Sequence, residues 1–145
     1  MRKQSPKSQD KRMFFLLNLA QKKLFKHVDS VCEAELGASV TQMAALMYLA
    51  KAPGCLQKDL AAVLDLNKSA VTGLITRMEK NALVTRTVHE HDGRAVLLNV
   101  TPDGLSKVTR LLPMIETLNT EFTDEFSEQE LATVLRFLNF ILQQF

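Results

Sequence analysis

Residues 84 to 101 read VTRTVHEHDGRAVLLNVT, and no other stretch limits the fold of this chain as strongly. Two alternating apolar runs flank a charged tip, Asp92-Gly93-Arg94. Alternation is the period of a half-buried strand, and Asp-Gly between two such runs is a strong hairpin signal. The turn therefore falls at the tip and lifts Arg94 away from the body. The segment just before it has the other period. A short helix runs from about Gln57 to Leu64, Asp65-Leu66-Asn67 forms a tight turn, and a second helix runs from Lys68 to about Asn81. Asn67 is a good N-cap for that second helix.

The rest of the chain is helical in pattern. Residues 1–10 are polar and aperiodic, with Pro6, and read as a frayed tail. From about Lys11 to Leu36 the apolar residues Met13, Leu16, Leu17, Ala20, Leu24, Val28, Val31 and Cys32 fall at helical spacing, and Gly37 sits where a C-cap belongs. Ser39-Val40-Thr41-Gln42 has capping-box spacing and opens a helix that Pro53-Gly54 ends. Thr101-Pro102-Asp103 starts another: Thr as N-cap, Pro at the first position, Asp near the positive end of the dipole. Pro113 lies inside it and predicts a kink. Ser127-Glu128-Gln129-Glu130 is a second capping box before the last helix. The prediction is a mainly α fold with a small β wing (α+β): six helices, with a winged helix-turn-helix in the middle.

Composition removes several classes. The chain has 145 residues, 46% hydrophobic and 23% charged, enough for one ordinary domain with a core. No apolar run approaches the roughly 18 residues of a membrane span. The run Met13-Phe14-Phe15-Leu16-Leu17 is too short for a signal peptide. Two cysteines, Cys32 and Cys55, make no disulfide framework, so a reducing cytoplasm is expected. No Gly-rich phosphate loop or nucleophile–base motif is present, and neither enzyme activity nor a cofactor is expected. His89 and His91 share one side of a strand and permit a metal pair, without a third ligand nearby other than acids.

Charge and bulk are unevenly placed. Residues 1–26 carry eight Lys/Arg against one acid, whereas residues 102–145 carry three against seven. Such asymmetry fits nucleic-acid contact or simply solvated faces. Phe14, Phe15, Phe25, Phe137, Phe140 and Phe145 crowd toward the termini. A single copy would expose them, and large exposed apolar patches mark interfaces. Dimerisation through the terminal helices is the expectation.

A helix enters the major groove when one face is small and polar and the other is anchored in a core. The helix at 68–81 divides in this way: Val71, Leu74, Ile75 and Met78 against Lys68, Ser69, Thr72, Gly73, Thr76 and Arg77. Ser69, Thr72 and Thr76 can hydrogen-bond bases or phosphates, and Lys68 and Arg77 can neutralise phosphate. Gly in mid-helix costs about 1 kcal/mol relative to Ala, so Gly73 implies a close approach to the backbone. Arg94 could enter a narrow minor groove. Asp92, which phosphate would repel, orients the turn or an arginine, Arg94 or Arg77.

Several short motifs, in this order, resemble the MarR family of winged-helix regulators. They are Leu56-Gln57-Lys58-Asp59-Leu60-Ala61, Asn67-Lys68-Ser69-Ala70-Val71-Thr72, Arg77-Met78-Glu79-Lys80, then Arg86, Asp92-Gly93-Arg94-Ala95 and Val100-Thr101. The resemblance implies a homodimer built by intertwined terminal helices, residues 11–36 and 102–145, around a DNA-binding lobe at 39–101. It implies Asn67, Lys68, Ser69, Thr72, Gly73, Thr76, Arg77 and Arg94 as DNA-contact residues, and Arg86 and Asp92 as residues that build the wing. It also implies a palindromic operator, repression more often than activation, and relief by a small aromatic or phenolic ligand bound between the dimer helices and the lobe. Two positions depart from the family pattern. Gly73 stands where an arginine is frequent, and Ala82 where a glycine is usual, so Asn81 is expected to take the left-handed conformation instead. A thiol- or metal-sensing regulator and a winged-helix protein-interaction module without DNA binding are the alternatives.

Overall fold

The computed structural model describes residues 11–89, 91 and 93–145. The expected tail at 1–10 and the wing residue Asp92 lie outside the described residues, as does Glu90. The elements run α1 (Met13–Leu36), α2 (Val40–Lys51), β1 (Cys55–Leu56), α3 (Gln57–Val63), α4 (Lys68–Lys80), β2 (Val84–Val88), β3 (Val96–Val100), α5 (Pro102–Glu125) and α6 (Glu128–Gln144). The six helices and the hairpin match the sequence pattern. The strand β1 does not: two residues carry no readable period, yet Cys55 and Leu56 pair antiparallel with Leu98 and Leu97. The sheet order is β1-β3-β2, with Val84 opposite Val100 and Val88 opposite Val96.

Helix ends follow local chemistry. Gly37 adopts the left-handed conformation (φ 64°) and its N–H reaches the Glu33 carbonyl. The Ser39, Thr101 and Ser127 hydroxyls accept from Gln42, Gly104 and Glu130 N–H groups respectively. At Ser127 the reciprocal half is present, Glu130 accepting from the Ser127 N–H at 3.0 Å, and this pulls the Glu130 carboxyl below its usual value. At Ser39 only half of the expected box forms. Gln42 is buried and its Oε1 has no partner among the described residues; the next N–H, that of Val40, donates to Asp29 of α1 at 2.8 Å.

The core sits in the middle of the chain. Met43, Leu46, Leu49, Leu60, Ile75, Met78, Leu83 and Leu98 are fully enclosed where α2, α3, α4 and the sheet meet. The helix α1 buries only Cys32 and Leu36, both near its C-terminus, and α5 only Gly104 and Leu111. None of the residues of α6 is buried. Two cations of α5 fasten α1 to it: Lys107 donates to the Leu36 carbonyl and Arg110 donates to the Glu35 carbonyl at 2.6 Å. These carbonyls are orphans of the α1 C-terminus, where the helix dipole favours positive charge.

Candidate nucleic-acid interface

The helix α4 is held on three sides. At its N-terminus the Asn67 Oδ1 accepts from the Ala70 N–H at 2.8 Å. Its apolar stripe, Val71, Leu74, Ile75 and Met78, is buried. Its C-terminus closes in a Schellman motif: the Leu83 N–H reaches the Met78 carbonyl at 2.9 Å and the Ala82 N–H reaches the Glu79 carbonyl at 3.0 Å. That motif requires a left-handed residue at the position after the cap, which is Ala82 (φ 57°), whereas Asn81 stays right-handed at φ −85°. The expectation that Asn81 takes the strained conformation is therefore corrected. The bonding pattern fixes the position, and tolerance of the side chain does not move it.

Facing away from the core, Asn67, Lys68, Ser69, Thr72, Thr76 and Arg77 are exposed, and Gly73 is partly covered. The two threonines are less free than the sequence suggests. Thr72 donates to the Lys68 carbonyl and Thr76 to the Thr72 carbonyl, each at 2.8 Å. Their donor is thereby spent along the helix; outward they offer lone pairs and a methyl group. Thr72 also accepts from the Gln57 Nε2 of α3 at 3.2 Å. Sequence reasoning missed Gln57. Its link to Thr72 crosses the turn between the two helices, and only its place at the start of α3 hinted at it.

The wing stands beside this face. Arg86 on β2 lies 3.6 Å from Glu79 on α4, an exposed ion pair worth at most about 1 kcal/mol. The loop from 89 to 95 joins the strands, closed by the His89 N–H to the Ala95 carbonyl at 2.9 Å. Arg94 is exposed. His91 donates its N–H to the His89 Nδ1 at 3.2 Å.

Cys32 is buried and Cys55 partly covered. Burial, and then Asp29, Glu33 and Glu35, raise the pKa of Cys32; burial, and then Asp59, raise that of Cys55. Such thiols are poor nucleophiles at neutral pH. A small cavity of about 90 Å³ between α1 and α5 is lined by His27, Val28, Cys32, Met114, Leu118 and Glu121, among others. Among the described residues, no helix is long and apolar enough to cross a membrane.

Residues 36–95 match a model of the MarR family. A transcriptional activatory protein, BadR, of Rhodopseudomonas palustris is 33% identical over 136 residues, which cover 90% of this chain and 77% of that one. A putative transcriptional regulatory protein for the hcr operon of Thauera aromatica is 25% identical over 99 residues, 68% of this chain, but the match spans only 60% of that protein. Among solved structures, a DNA complex of S. aureus MepR is similar with a TM-score of 0.83 at 20% identity, covering 93% of this chain and 99% of that one.

Proposed function

The chain belongs to the MarR family of winged-helix transcriptional regulators, and we propose that it binds a palindromic DNA operator as a homodimer, represses the adjacent genes and is released by a small aromatic or phenolic effector. One observation carries the reading: α4 is anchored by its cap, its buried stripe and its Schellman end, and turns a row of exposed polar residues outward. Lys68 and Arg94 meet phosphate or minor groove, while Ser69, Thr72 and Thr76 meet base edges as acceptors or through methyl groups. Asn67 caps the helix and keeps its amide N–H₂ for the backbone of the DNA.

The dimer is supported by what α1 and α6 leave uncovered. Phe14 is 77% exposed, Phe140 57% and Leu142 79%. A second copy that covers residues 11–36 and 102–145 removes this surface from water and sets the distance between two α4 helices. Two lobes, each 39–101, then meet successive major grooves about one DNA turn apart. The seam between α1 and α5 is the proposed effector site. Prising it open would shift the lobes and lose contacts on one half-site. BadR, reported above, is named an activatory protein; repression is proposed here because a dimer laid across a promoter blocks polymerase. The compartment proposed is the cytoplasm, where two free thiols stay reduced.

A gel shift with the intergenic DNA flanking the gene tests the reading. A specific band at moderate salt is expected. Its absence would leave the protein-interaction module as the better account, and a reporter that rises with added protein would overturn repression.

A further inference from the structure

Gly73 stands in the middle of α4, where it costs helix stability. The compensation is not a neighbouring backbone. The atom nearest to a Cβ placed at Gly73 is the Nη1 of Arg77, at 3.4 Å. The arginine one turn later lies back along its own helix and fills the notch. That notch belongs to an open depression of about 280 Å³, bordered by Ser39, Thr41 and Ser69 as well as by Gly73 and Arg77. The guanidinium has no hydrogen bond or ion pair with another described residue. The one carboxylate on α4, Glu79, is engaged with Arg86 instead.

The helical wheel gives this a meaning. At about 100° per residue, Ser69, Gly73 and Thr76 fall within about 30° of the line opposite the buried stripe, whereas the Arg77 backbone lies about 70° off it. An arginine on the flank of a groove-bound helix reaches phosphates. Drawn toward Gly73, its guanidinium moves from the flank toward the centre of the face, where base edges lie. There its planar fork matches the O6 and N7 acceptors of guanine, and no threonine hydroxyl competes as a donor.

We propose that Gly73 is a specificity-determining residue: its missing side chain seats the Arg77 guanidinium at the centre of the recognition face, where it reads a guanine in each half-site. The proposal rests on the DNA-binding reading given above. It makes Arg77 a base reader, where its charge and position alone would make it a phosphate contact.

The test uses the full chain and a pool of random-sequence duplex DNA. Sequences are selected, and binding is then measured to duplexes bearing each of the four base pairs at every position. The wild type is expected to prefer G·C at one position per half-site by roughly ten- to hundredfold. Arg77→Lys keeps the charge but loses the fork, so this preference should level while those at other positions persist and the salt dependence is unchanged. Gly73→Leu, checked for folding by circular dichroism, should level the same position. If Arg77→Lys preserves every base preference, Arg77 is a phosphate contact and the proposal is wrong. If the arginine variant levels a position but Gly73→Leu preserves it, the role given to Gly73 is wrong. A wild type with no sequence preference at all would overturn the regulator reading and this proposal with it, whereas a wild type that selects a sequence insensitive to Arg77 overturns only the proposal.

Discussion

The Thr101 hydroxyl donates to the Ala82 carbonyl at 2.7 Å while it accepts from the Gly104 N–H at 3.1 Å. One side chain thus caps α5 and holds the turn that ends α4. The Thr101 N–H adds a third link, to the Leu83 carbonyl at 3.0 Å. The orientation of α4 is tied in this way to α5, which carries the terminal segment.

Thr101→Val keeps the shape and loses both side-chain bonds. It should destabilise the fold by about 1–3 kcal/mol, the sum of a lost cap and a lost hydrogen bond. Ala82→Gly should act in the opposite sense. It relieves a left-handed alanine, offset in part by the entropy of glycine in the unfolded chain, for a gain of up to about 1 kcal/mol. Urea denaturation of the two variants against wild type measures both.

Two glycines inside helices should respond oppositely to alanine. At Gly104 a Cβ would stand 2.5 Å from the Leu83 carbonyl oxygen and 2.6 Å from the Val100 Cγ1, so backbone must move. Gly104→Ala should cost about 1–3 kcal/mol by overpacking the junction of α5 with the wing. At Gly73 only the flexible end of Arg77 is near. Gly73→Ala should therefore raise stability, by up to about 1 kcal/mol. Thermal melts with the same sign at both sites would contradict this.

These contrasts show where sequence reading works. The caps at Asn67, Thr101 and Ser127 were legible because a hydroxyl or amide three residues before a backbone N–H is a local arrangement. The wing was legible from alternation. The half-formed box at Ser39 was not, because Gln42 is drawn into the core by its place on the buried side of α2, and the neighbouring Val40 N–H is met by Asp29, from another helix. Nor was the role of Ala82, which a bonding pattern between Met78 and Leu83 decides. Gly73 announced that something lies close, but which group does so depends on the rotamer of Arg77.

Both thiols should be unreactive at neutral pH. Their raised pKa values mean that each stays protonated in the native state beyond the pH where a free thiol ionises. Iodoacetamide labelling of the native protein at pH 7 should be much slower than that of the unfolded chain, and should quicken as pH rises above about 9. The linked stability has the same sign: it is fully present below the ordinary thiol pKa and falls as pH rises through the native value. Fast labelling at pH 7 would revive the thiol-sensing alternative.

Arg94→Ala should weaken DNA binding and leave the oligomeric state as it is, since Arg94 is exposed between the two wing strands and lies outside the terminal helices in sequence. Lys68→Ala should weaken binding to all sequences alike and flatten the salt dependence by about one unit of slope. An Arg94→Ala protein that turned monomeric would contradict the placement of the wing.

The most direct measurement is the stoichiometry of the full chain on a duplex that carries its selected palindrome, by sedimentation at moderate salt. A dimer free in solution, held by the exposed faces of α1 and α6, and a sequence-specific complex of two chains per duplex are expected. A monomer free in solution, or a complex no tighter on the palindrome than on unrelated duplex, would contradict this.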